Sequence, residues 1–303
     1  MKCAAEVTEW GERDLPEVCG MLRSALPRER VAEWHVRETV FDDPDYQPGL
    51  LLAVRRDGRI VGLAGGIVRR ERDSLPESKQ GGFIKLLAVA PEWRRKGIAS
   101  ALLAELEKRL AASGASRVRT FRCTPHWFWP GIDLQATPAV TLFLRNGYFR
   151  CEEAVDMMIP LQGQEFRTDE EEKRLSEQGV QCVRVTEQYA DLFARHTTGF
   201  GNQGRLVLRR LPATAHIAIS GGELVGFAVY DACGPGWFGP TAVAEAYQRR
   251  GIGSVLLKRC CADARARGDS TMEIGPVAPI AFYAREVNAT INRCFWTLEK
   301  RIG

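Results

Sequence analysis

Apolar positions along the chain come in short blocks whose period alternates between two and 3.6, and the same succession of blocks occurs twice. In the first half, a strand-like run over Glu6 to Trp10 precedes two helical stretches, Pro16 to Ala25 and Arg28 to Thr39. "GLLLAVRRDGRIVGLAGGIVR" then places apolar runs on both sides of Asp57-Gly58, a strong hairpin signal. "GGFIKLLAVAP" reads as a buried strand ending at Pro91. From Gly97, Ile98, Leu102, Leu103, Leu106 and Leu110 recur at helical spacing, and Gly114 supplies a stop. "SRVRTFRC" predicts a strand, "TPAVTLFLRNGY" a short helix closed by Gly147, and "FRCEEAVDMMIPL" a strand completing the sheet.

The second half repeats that order. "VQCVRV" is a strand and Glu187 to His196 a helix. "HIAISGGELVGFAVYDA" is a hairpin about Gly221-Gly222, and "WFGPTAVAE" a strand. A glycine turn at Gly251 opens a helix, followed by the strand "STMEIG", the helix "APIAFYAREV" and the strand "TINRCFWTLEK". Gly97 and Gly251 lie 154 residues apart, a domain-sized repeat. The pattern predicts α/β domains, each an α+β arrangement with a mixed sheet. The expected boundaries are 1–163 for the first domain, 164–179 for a helical linker and 180–303 for the second. Within the linker, Thr168 and Glu171 have capping-box spacing, and Gly179 can end the helix they start.

The two turns read "EWRRKGIASALL" and "YQRRGIGSVLL". A strand that passes through a glycine turn straight into a helix aims several unpaired N–H groups at one spot, and the helix dipole adds positive potential there. Such a turn is suited to phosphate. Neither copy is a P-loop or a G-x-G-x-x-G fingerprint.

Both copies match [QR]-x-x-G-x-[GA]: Arg94-Arg95-Lys96-Gly97-Ile98-Ala99 and Gln248-Arg249-Arg250-Gly251-Ile252-Gly253. Here the chain resembles the GNAT family of N-acetyltransferases, in which this turn holds the pyrophosphate of acetyl-CoA. The resemblance covers nearly the whole chain, as two tandem acyl-CoA N-acyltransferase domains. It implies that both turns, with Ser100 and Ser254 following them, hold phosphates. It also implies that the strands flanking each cradle helix splay apart to receive the pantetheine arm, with Leu87, Val89 and Val243 offering backbone hydrogen bonds.

The same resemblance implies a tyrosine acid on the late helix. Tyr283 stands there in the second half, and Phe143, with no proton to give, in the first. A glutamate base is implied on the strand before the turn, but that position holds Lys85 in the first half, and Glu245 lies beyond the strand in the second. Asp231 and Glu273 are the nearer candidates, acting through water. The 14 extra residues of the first half fall in "CTPHWFWPGIDLQA", an aromatic-rich insertion that either lines a cleft or plugs an interface.

Composition narrows the reading only modestly. Apolar content of 45% and charged content of 26% are ordinary for a globular chain. Forty-two basic against 38 acidic residues leave a net charge of +4, short of the asymmetry of a nucleic-acid binder. Nine cysteines lack C-x-x-C spacing and four histidines are scattered, so no metal site is expected and the thiols read as reduced, in a cytoplasmic protein. No signal peptide or membrane span is expected from "MKCAAEVTEWGERDLPEV" or elsewhere. The reading is an acetyl-CoA-dependent N-acetyltransferase acting on an amine acceptor, monomer or homodimer, with the second domain catalytic and the first binding CoA. A non-catalytic CoA-responsive scaffold and a protein lysine or N-terminal acetyltransferase stay open.

Overall fold

The computed structural model describes residues 6–69, 81–123, 127–197 and 214–302. Two compact units emerge: Met1–Ala154 together with Arg293–Gly303, and Val155–Asn292.

In the first unit, β1 (Val7–Glu9), α1 (Leu15–Ala25) and α2 (Glu33–Val40) precede the hairpin β2 (Leu51–Arg56) and β3 (Arg59–Arg69). Asp57 and Gly58 both take positive φ, the requirement of the tight hairpin turn read from the sequence. Next come β4 (Gly81–Val89), α3 (Ile98–Ala112), β5 (Arg117–Thr120), the short β6 (Ile132–Asp133) and α4 (Thr137–Arg145). The strand β7 (Phe149–Pro160) runs across the division between the units. In the second unit, α5 (Asp169–Glu177), β8 (Val180–Arg184), α6 (Ala190–Thr197), β9 (Ala215–Ser220), β10 (Glu223–Tyr230) and β11 (Trp237–Val243) lead to α7 (Ile252–Ala266). Then follow β12 (Thr271–Ile274), α8 (Ile280–Val287) and β13 (Thr290–Arg301).

The halves exchange their closing strands, which corrects the expected boundaries. The last strand of the chain, β13, lies antiparallel beside β5 of the first unit, with Glu299 opposite Arg119 and Arg301 opposite Arg117. Charge complementarity holds it there. Arg119 bonds Glu299, Lys300 pairs with Glu107 at 2.7 Å, and Arg293 reaches Asp133 at 2.9 Å and Glu29 at 2.5 Å. Conversely, Met157 to Pro160 of β7 pair with β12 of the second unit, and Met157, Ile159 and Leu161 enter that unit's core.

The stretch expected as a linker is also part of the second unit. Leu175 of α5 is fully buried among α7 residues, Lys258 and Arg259 pair with Glu171 and Glu172, and the helix starts at Thr168 as expected. The capping box does not form. The Thr168 hydroxyl bonds the Glu172 side chain at 2.5 Å, and Glu171 is taken by Lys258. The aromatic insertion packs into the first unit's own cores, where Trp129 meets Phe121 and Phe128 edge-on or tilted. His126 of that insertion lies outside the described residues.

Candidate functional site

Each unit contains a fork. β4 runs parallel to β5 only as far as Ile84, opposite Thr120. β11 runs parallel to β12 only as far as Phe238, opposite Ile274. Beyond those residues both strands continue, β4 to Val89 and β11 to Val243, still paired on their other side to β3 and β10. Ala90 and Ala244 donate their N–H groups to Val61 and Val225 on that other side. By the alternation of an antiparallel ladder, Leu87 and Val89, and likewise Thr241 and Val243, turn their backbone groups into the fork. Thr241 completes the pair with Val243, and the sequence reading had missed it.

The glycine turns follow at the end of each open strand, and they have the same backbone. Arg95 has φ 62° and Gly97 φ 85°; Arg249 has φ 61° and Gly251 φ 96°. Gly97 and Gly251 are the N-caps of α3 and α7, so the first-turn N–H groups of both helices lie free of intrahelical acceptors. Only a residue without Cβ takes that left-handed position at no cost. Ile98 and Ile252 are buried core residues, seated where Gly62 and Gly226 leave room: a Cβ on either glycine would stand 2.6 Å or 3.1 Å from the isoleucine. They can serve a ligand only through the backbone, as can the half-buried Ala99 and Gly253.

The basic flanks divide their work identically in the two copies. The first motif residue ties the turn to its own strand: Arg94 Nε donates to the Val89 carbonyl and Gln248 Nε2 to the Val243 carbonyl, both at 3.2 Å. Arg94 also donates to the Ala25 carbonyl. The third stacks on the aromatic three residues before it, Lys96 on Trp93 at 4.3 Å and Arg250 on Tyr247 at 4.8 Å. The second, Arg95 or Arg249, is exposed and makes no hydrogen bond among the described residues. Gln248 and Arg94 are thus braces of the turn. Ser100 is exposed on α3, whereas the Ser254 hydroxyl donates to Glu286 of α8. Burial opposes charge on Glu286, but the bonds from Ser254 and Arg285 hold its carboxyl below the usual range.

Tyr283 of α8 is buried, and its ring meets Phe238, the last β11 residue before the fork, with centroids 6.1 Å apart. Burial pushes its phenol up to about 12, so it keeps its proton at neutral pH. Its hydroxyl makes no hydrogen bond among the described residues. Phe143 is fully buried in the first unit. The neighbouring Tyr148 is buried too, its phenol pushed up by burial and by Glu107.

The two proposed bases stand elsewhere. Asp231 accepts from the Gly236 N–H at 2.5 Å and pairs with Arg267 at 2.5 Å, so both its oxygens serve the β10–β11 turn, at the end of β11 opposite the cradle. Glu273 lies between Met272 and Ile274, which share a core with Tyr283; strand alternation turns its side chain to the other face.

The mouths of the forks differ. In the first unit, a bulge in the β3–β4 ladder falls at Lys85, which is buried. Its ammonium donates to Asp43 at 2.5 Å and to the Thr39 carbonyl, and Arg69 bonds the same carboxylate. Burial opposes charge on Asp43, but Arg69 and Lys85 hold its carboxyl at about 2. In the second unit the corresponding β11 bulge is Gly239-Pro240, and nothing lies within 4 Å of where a Gly239 Cβ would stand, among the described residues.

Forked mixed sheets with a glycine cradle between the prongs define a tandem acyltransferase architecture. A profile of the acetyltransferase (GNAT) family matches residues 8–126 and 177–287, and the chain belongs to that family. No curated protein matches it. Among solved structures it is similar to a tandem GNAT protein from the clavulanic acid biosynthesis pathway, at 14% identity and TM-score 0.66, covering 98% of both chains. It is similar to an N-acetyltransferase of this family from Sphaerobacter thermophilus, at 16% identity and TM-score 0.61, covering 98% of this chain and 96% of that one. A third similarity, at 16% identity and TM-score 0.70, is to a fungal multi-domain β-N-acetylglucosaminidase with a glucosamine N-acetyltransferase region; it covers 97% of this chain but 38% of that one. Among the described residues, no group of His, Cys, Asp and Glu is arranged to hold a metal ion, and no helix is long and apolar enough to cross a membrane.

Proposed function

We propose that the chain is an acetyl-CoA-dependent N-acetyltransferase in which both glycine turns bind CoA and the second unit alone transfers the acetyl group to a primary amine. The observation that carries this reading is Tyr283: a protonated phenol beside the open fork, with no protein partner for its hydroxyl among the described residues. The pantetheine arm would lie along Thr241 and Val243, bringing the thioester toward that hydroxyl.

The neutral amine attacks the thioester carbonyl, the carbon–sulfur bond breaks, and the proton lost by the amine ends on the departing sulfur. With a phenol near 12 against a thiol near 8.5, full transfer from Tyr283 is uphill. Tyr283 therefore acts by donating a hydrogen bond to sulfur as charge develops there, and the proton released by the attacking nitrogen reaches the thiolate once the carbon–sulfur bond has broken. The first unit offers Phe143 in place of that donor and an ion-paired Lys85 at its fork.

The test is thiol release from acetyl-CoA across amino sugars, polyamines, amino acids and peptide amines. Turnover on at least one class supports the reading. A wild-type chain that binds CoA and turns over none of them favours a CoA-responsive scaffold.

A further inference from the structure

The second turn has a feature that the first lacks. A Cβ at Gly251 would stand 3.1 Å from Nη2 of Arg174, whereas the same position at Gly97 meets nothing within 4 Å among the described residues. Arg174 comes from α5, outside the repeated turn. Its helix is pinned to α7 by buried Leu175, by Lys258 on Glu171 and by Arg259 on Glu172. Glu171, whose carboxyl Arg174 helps to hold below the usual range, accepts its hydrogen bond from Lys258. Arg174 itself is exposed and has no hydrogen bond or ion pair among the described residues. The pinned helix thus holds an exposed guanidinium over the left-handed glycine of a turn whose first-turn N–H groups have no intrahelical acceptor.

We infer that Arg174 is a pyrophosphate-binding residue of the second unit, closing the cradle from the side opposite the α7 N–H groups. The inference rests on the proposed function, since it takes the second turn to be an acyl-CoA site. A planar guanidinium suits bidentate contact with phosphate oxygens, and the pinned helix sets where it can reach. It also places a cation over the second turn from outside the repeated motif, whose first position is the neutral Gln248 where the first turn has Arg94.

The experiment is calorimetric titration of the full chain carrying Gly97→Glu, which leaves only the second site, with CoA and with 3′-dephospho-CoA. Arg174→Ala should weaken both ligands by about tenfold at low ionic strength, the scale of a charged hydrogen-bonded contact. It should lower the salt dependence of binding and leave the melting temperature unchanged, because the side chain supports nothing else. Arg174→Lys should recover part of the affinity. Unchanged or tighter CoA binding in Arg174→Ala overturns the inference, and a loss seen with CoA but not with 3′-dephospho-CoA overturns the pyrophosphate assignment. Retained CoA binding in a Gly97→Glu, Gly251→Glu double variant overturns the underlying site instead, as does a wild-type chain that binds no CoA.

Discussion

The two forks are built on one plan and finished differently. Their cradles share φ values within about ten degrees, the same brace from motif residue to strand, and the same stacked cation. At the mouth, one fork holds a buried lysine tied to Asp43 and Thr39, and the other a glycine facing open space among the described residues. Under the proposed function, that difference would separate donor binding from chemistry. The proposed cradle uses backbone and a few cations, whereas the proposed transfer also uses an open mouth and a proton donor.

The largest expected effect breaks the comparison at Tyr283. Tyr283→Phe keeps the ring in its core and removes only the hydroxyl, so kcat should fall by about 100- to 10,000-fold with the acetyl-CoA KM little changed. Phe143→Tyr should create no activity in the first unit, because Lys85 remains paired with Asp43 where its strands part. Steady-state kinetics on the best amine checks both. A Tyr283→Phe enzyme with unchanged kcat would show that sulfur leaves without that hydrogen bond.

A second, smaller effect sharpens the first unit's side. Asp43→Asn leaves Lys85 and Arg69 buried without their counter-charge, a loss of about 3–5 kcal/mol in stability. The Asp43 carboxyl is depressed from 3.8 to about 2, so its stabilising share is fully present above pH about 4 and is lost as pH falls through 2. That share is worth about 2 kcal/mol. Urea unfolding between pH 6 and pH 2 should show a steeper acid loss in the wild type than in Asp43→Asn; parallel curves would remove Asp43 as the cause.

The smallest effect concerns screening. Arg95 and Arg249 are exposed, so CoA affinity at both sites should weaken several-fold as ionic strength rises past the value where the Debye length is about 8 Å. Titration at three salt concentrations measures it, and a flat response would place the binding energy in apolar contacts.

Much of this was legible in the residues. The hairpins at Asp57-Gly58 and Gly221-Gly222, the cradle helices and the late helices all follow from period and turn chemistry, because each is set by neighbours in sequence. The exchange of β7 and β13 was not legible. Both strands follow a short helix and carry similar alternation, and which sheet each closes is decided by distant partners such as Glu299 with Arg119. Asp231 looked like a base because a carboxylate after a strand gives no hint of Gly236 and Arg267 waiting in the turn. Lys85 read as a wrong-charge residue, and only the fold brings Asp43 to it. Arg174 stood unremarked in the expected linker, and the packing of Leu175 fixes where its helix lies.

The central claim, that both cradles bind CoA and only the second supports transfer, is tested most directly by paired glycine variants assayed for both CoA stoichiometry and turnover. Glutamate at either position meets a left-handed backbone and repels phosphate, so each variant should lose one bound CoA. The account predicts that Gly251→Glu abolishes turnover while Gly97→Glu retains it at near wild-type rate. Turnover that survives Gly251→Glu but is lost in Gly97→Glu would contradict it.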